Sequence, residues 1–106
     1  MAAEAQRYVR LVGLEVRDDT LYRQYREHMS PILRSYGGSF GYDFVVARVL
    51  QSETPAPIDR VFTIRFPTRD AAQRFFSDTA YLAVRARYFE PAVGGVTTIA
   101  AYDESV

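Results

Sequence analysis

The chain has 106 residues, 13 acidic and 13 basic side chains, no Cys, and a hydrophobic share of 48%. That length and apolar content are enough for one domain with a real core, and they exclude disorder beyond the tails. Formal neutrality removes the basic surplus that nucleic acid or an anionic membrane requires, the lack of Cys removes disulfides and thiolate chemistry, and no run approaches the roughly 18 apolar residues of a membrane helix.

The first predicted strand covers 8–16. Val9 and Leu11 face one way, Val12, Leu14 and Val16 the other, so both faces are apolar and the strand is expected to be central. Asp18 or Asp19 then offers an N-cap for a helix over 20–36. Its apolar stripe is Leu21, Tyr25, Met29, Ile32 and Tyr36, flanked by His28 on one side and by Tyr22 and Leu33 on the other. Pro31 lies inside this helix and predicts a kink near His28, and Gly37 supplies the left-handed stop.

A second strand is predicted over 39–50, with Phe40, Tyr42, Phe44 and Val46 on one face and Gly41, Asp43, Val45, Ala47 and Val49 on the other. The two prolines within 51–57 mark a loop. Strand three, 60–66, turns Phe62, Ile64 and Phe66 to one side and Val61, Thr63 and Arg65 to the other. Thr68 caps a helix that buries Ala71, Ala72, Phe75 and Phe76, and Asp78 caps a further helical stretch to about Tyr88. A fourth strand follows over 96–102.

This β-α-β-β-α-β order predicts an α+β, ferredoxin-like fold with a four-stranded antiparallel sheet. Two helical segments cover one face of such a sheet and leave the other to a partner or a ligand. The expected domain is 1–106, with its core at about 7–103. Residues 1–6 lack a charged stretch followed by an apolar one, so the expected location is cytoplasmic.

The residues Tyr22-x-x-Tyr25, Pro31, Tyr36-Gly37-Gly38, Phe66-Pro67, Ala71-Ala72, Phe75-Phe76-Ser77-Asp78, Tyr81 and Arg87 together resemble a small bacterial family of unknown function. It is the domain-of-unknown-function 1330 family of the dimeric α+β barrel superfamily. The resemblance covers nearly the whole chain. It implies a homodimer in which two sheets face one another with the helices outside. Fold relatives include cofactor-independent monooxygenases, muconolactone-type isomerases, polyketide cyclases and haem-handling enzymes, so the family resemblance carries fold further than activity. The ring-lactone methylisomerases also place a His before a Pro on the first helix, where this chain reads His28-Met29-Ser30-Pro31.

Candidate chemistry is sparse. His28 is the only imidazole, and it is either a general acid or base or a ring packed at a helix edge. Arg65 would clamp a carboxylate or enolate, or bridge to Asp43, Glu15 or the partner subunit. Tyr25 would orient a substrate ring, with Tyr22, Tyr8 and Asp43 completing a substrate-binding set. A lone His with scattered carboxylates supplies no metal-ligand pattern, and no glycine-rich phosphate loop is present, so neither metal nor cofactor is expected. Two functions follow as expectations. One is a small cofactor-free enzyme of isomerase, cyclase or monooxygenase type acting on a small apolar acid or lactone. The other is a non-catalytic dimer that binds a metabolite or a partner.

Overall fold

A computed structural model describes residues 6–105 of the chain. The expectation placed on the first residues of the sequence lies almost wholly outside them. The elements run β1 (Gln6–Val16), α1 (Asp19–Ser35), β2 (Ser39–Val45), β3 (Arg60–Phe66), α2 (Arg69–Ser77), α3 (Thr79–Val84), a π-helical turn (Arg85–Phe89) and β4 (Val93–Ser105). The four strands form one antiparallel sheet in the order β2-β3-β1-β4, which is the expected α+β, ferredoxin-like arrangement.

Local chemistry accounts for most of the boundaries. Asp18, Thr68 and Asp78 each accept a hydrogen bond from the backbone N–H three residues on, at 3.0, 3.0 and 2.9 Å, and so open α1, α2 and α3. At the end of α1, Gly38 N–H donates to Leu33 O and Gly37 N–H to Arg34 O, both at 2.9 Å. This paired closure requires a left-handed residue, and Gly37 supplies it with φ of 75°. The helix runs through Pro31 without interruption, and the Ser30 hydroxyl donates to the Arg26 carbonyl at 2.5 Å. The Tyr36 hydroxyl donates to Asp78 at 2.6 Å, which ties the end of α1 to the junction of α2 and α3.

The core lies between the sheet and the helices. Tyr8, Val12 and Leu14 of β1 and Phe62, Ile64 and Phe66 of β3 meet Tyr22, Tyr25, Met29 and Leu33 of α1, Ala72 and Phe75 of α2, Tyr81 and Phe89. The buried face of α1 is therefore turned from the predicted stripe toward its Tyr22–Leu33 flank. His28, on the opposite flank, is carried out to the surface.

Strand β2 departs from strict alternation. Phe40 pairs with Ile64 but Asp43 pairs with Phe62, so two residues, Gly41 and Tyr42, stand opposite Thr63 alone. A Cβ on Gly41 would lie 2.4 Å from the Thr63 hydroxyl, and Tyr42 N–H donates to that same oxygen at 2.8 Å. The bulge puts Asp43 on the helix side with Phe40 and leaves Phe44 on the open side opposite Val61. This corrects the grouping of Phe40, Tyr42 and Phe44 on one face. The strand also ends at Val45 rather than at Leu50.

Candidate functional site

Between the sheet and the helices lies a cavity of about 210 Å³. Its floor is buried and apolar, made by Leu14, Met29, Phe62, Ile64 and Phe89. Val96 and Thr98 of β4, both exposed, mark its mouth. The volume lies below the roughly 300–1,000 Å³ of sites for drug-sized molecules, but exceeds the ~150 Å³ that accepts benzene in an engineered apolar cavity. One ring or a short branched chain matches this scale.

The polar groups of the lining are hydroxyls and guanidinium groups. Tyr25 and Tyr81 share a buried hydroxyl–hydroxyl hydrogen bond of 2.9 Å. Tyr25 is held from the other side by the Phe89 ring, at a centroid distance of 4.8 Å, and by a stacked Tyr22 at 5.7 Å. Burial pushes the Tyr25 phenol far above the usual tyrosine range, and the Tyr81 neighbour adds to the rise. Burial also raises Tyr81, although the Tyr25 hydroxyl, Arg85 and Arg10 all pull the other way. Both phenols are therefore protonated hydrogen-bonding groups at neutral pH.

Arg10 of β1 and Arg85 of the π-helical turn also line the cavity. Arg10 lies over the Phe76 ring at 4.5 Å and donates to the Tyr8 hydroxyl at 3.2 Å, while Arg85 lies over Phe89 at 5.2 Å. Among the described residues neither joins an ion pair. The wide turn closes with Glu90 N–H donating to Arg85 O at 3.0 Å, and such turns recur at functional sites.

The residues singled out from sequence do not share one site. Tyr25 and Tyr22 line the cavity, and the Tyr22 hydroxyl accepts from Arg26 Nε at 2.8 Å. Burial raises the Tyr22 phenol even beside that cation. Tyr8 is in the core but fronts a separate groove with Arg69 and Asp103. Asp43 is taken up by ion pairs. It receives Arg60 through both carboxylate oxygens at 2.8 and 2.9 Å, and Arg26 at 3.3 Å, and the Arg60 hydrogen bond holds its carboxyl below the usual range.

His28 is exposed and stacks flat on Tyr88, with centroids 4.6 Å apart and planes 7° apart, away from the cavity. Arg65 pairs across the sheet with Val9 and Ser39 and faces the side without helices, where its buried Nε has no hydrogen-bond partner among the described residues. His28, Tyr25 and Arg65 therefore do not converge within one protomer. The turn of α1 carries His28 outward, and Arg65 stands on the open face where the alternation of β3 was expected to put it. Sequence reasoning passed over Arg10, Tyr81 and Arg85. Arg10 did leave a signal, because it is a charge at a core-facing position between Tyr8 and Val12. Among the described residues, no three His, Cys, Asp or Glu side chains are grouped as metal ligands, and no helix is long and apolar enough to cross a membrane.

Comparison with solved structures returns the same fold. A protein of unknown function from Rhodopseudomonas palustris superposes with a TM-score of 0.73 at 16% identity, covering 98% of this chain and 84% of that one. A DABB-family protein with a ferredoxin-like fold from Mesorhizobium loti gives 0.60 at 13% identity, covering 95% and 97%. A dimeric protein of unknown function with a ferredoxin-like fold from Bacteroides fragilis gives 0.54 at 11%, covering 94% and 96%. No curated protein matches the chain. The family profile for the domain of unknown function DUF1330 matches residues 8–101, and the chain belongs to that family.

Proposed function

We propose that this protein is a homodimer whose protomers each bind a small, largely apolar acid or lactone in the cavity between sheet and helices. The observation that carries this reading is the cavity itself: an apolar floor, an open mouth at β4, and a few converging polar groups. Tyr25 and Tyr22 supply the aromatic wall, and the Tyr25–Tyr81 hydroxyl pair supplies the donors that orient a ligand oxygen.

Dimerisation rests on the opposite face. Tyr42 and Phe44 stack there with centroids 5.6 Å apart while 63% and 54% exposed, and Tyr102 stands opposite Val9 on the same side. An apolar patch of that kind on a chain without net charge favours self-association, and a fold relative is dimeric. Arg65, with its unsatisfied Nε, belongs to this interface rather than to the ligand cavity.

Among the described residues the cavity lining has no His, Asp or Glu, so none of the described side chains there is a general base at neutral pH. That observation favours a metabolite-binding protein. The enzymatic reading, of cofactor-free isomerase, cyclase or monooxygenase type, then depends on hydroxyl donors that stabilise an oxyanion on the substrate. Two measurements test the proposal. Calorimetric titration with small single-ring acids and lactones is expected to show saturable binding at one site per protomer, and light scattering at micromolar concentration is expected to give twice the chain mass. Absence of binding across such a set refutes the ligand reading, and a monomer refutes the dimer.

A further inference from the structure

We infer that Arg10 and Arg85 form an anion clamp, so that the ligand is a monocarboxylate bound as its anion rather than a neutral lactone. The inference rests on the ligand cavity proposed above. The two guanidinium groups come from different elements, β1 and the π-helical turn, yet both line the one cavity and both act on the same Tyr81 phenol.

Seven ion pairs among the described residues engage arginines of this chain, but Arg10 and Arg85 take part in none of them. They are held by aromatic faces instead, which position a guanidinium without neutralising it. A ligand that fills the cavity and displaces water would leave two cations uncompensated unless it brought negative charge with it. The apolar floor and the small volume limit that charge to one compact group, because a phosphate dianion has a larger desolvation cost than a carboxylate in such surroundings. The carboxylate is placed toward Arg10, Arg85 and the Tyr81 hydroxyl, and the apolar body toward Met29, Phe62 and Ile64.

Benzoate and benzamide test this directly, since they match in size and differ in charge. Titration calorimetry on the wild-type protein is expected to show benzoate binding at least about tenfold more tightly than benzamide, the ratio that one charge-assisted hydrogen bond supplies. Added salt is expected to weaken benzoate binding only. Arg85→Gln and Arg10→Gln are each expected to lower benzoate affinity about tenfold and to lower benzamide affinity by a clearly smaller factor, so that the preference for benzoate shrinks. Val96→Trp, which blocks the mouth, is expected to abolish binding of both probes.

Benzamide binding as tightly as benzoate overturns the clamp and leaves the cavity reading intact, and so does full benzoate affinity in both arginine variants. Benzoate binding that survives Val96→Trp overturns both readings, as does no binding of either probe to the wild type. The wild-type comparison needs no variant to fold, and Arg85→Lys, which keeps the charge but loses the planar fork, is expected to retain part of the preference.

Discussion

Replacing Tyr81 by Phe keeps the ring against Phe75, at 4.2 Å between centroids, and removes only the hydroxyl that faces Tyr25. The Tyr25 hydroxyl is then buried without its partner, at a cost of about 1–3 kcal/mol. Tyr25→Phe strands the Tyr81 hydroxyl in the same way and has a similar cost. The double variant removes both groups and keeps the ring contacts of both residues, so its loss is expected to stay below about 1 kcal/mol. The pair is thus expected to show a coupling energy of about 2–3 kcal/mol, at the upper end for neighbouring side chains. Urea unfolding of wild type, both single variants and the double variant at one fixed protomer concentration measures it, because association would otherwise enter the stability. Each kcal/mol corresponds to about 4 °C or more in Tm for a domain of this size. Single variants near 8 °C below wild type, with the double variant close to wild type, is the expected pattern. A double variant destabilised by the sum of the singles refutes the argument, since each hydroxyl would then serve some other group.

Gly37→Ala meets both a positive φ of 75° and Pro67 Cγ at 2.7 Å, so a loss of about 2 kcal/mol or more is expected in thermal unfolding. Asp43→Asn is expected to lose about 1 kcal/mol at pH 7, screening by solvent included. Because the folded-state pKa of Asp43 is depressed, its contribution is present above the unfolded value of 3.8 and is lost as pH falls through the folded value. The gap in urea midpoint between wild type and Asp43→Asn should therefore close on acidification below that point. Phe44→Arg places a charge on the exposed apolar face and is expected to give a folded monomer, read as halved mass in light scattering with an unchanged circular dichroism spectrum.

The parts of the fold legible in sequence were those fixed by contacts within a few residues. Asp18, Thr68 and Asp78 announce helix starts because a side-chain oxygen reaches the N–H three positions on, and β3 reads cleanly because its apolar residues alternate without a break. What the sequence could not settle was decided by partners distant along the chain. Helix α1 is apolar around much of its circumference, and the pairing of Tyr22 and Tyr25 with Phe89 selects which part is buried, leaving His28 outside. Period-two patterning cannot show where an extra residue slips in, so the faces of Asp43, Tyr42 and Phe44 were misjudged. Tyr25 and Tyr22 were found because aromatics at helical spacing announce a buried face. Arg85 lies four residues after Tyr81 on the same helix face, and its charge disguises a position that lines the cavity.

The irregularities of the outer strands have a consequence for how this sheet can associate. Strands β2 and β4 are its two rims. One carries the doubled residues Gly41 and Tyr42, and the other carries extra residues at Ile99 and Gly94. A continuous row of free N–H and C=O groups would invite a neighbouring strand to add on, and sideways growth of that kind leads to fibres. Interrupted rims deny that template at both ends of the sheet. The rims are thereby poor surfaces for contact between copies, and the broad aromatic side is left as the surface on which the proposed dimer would close.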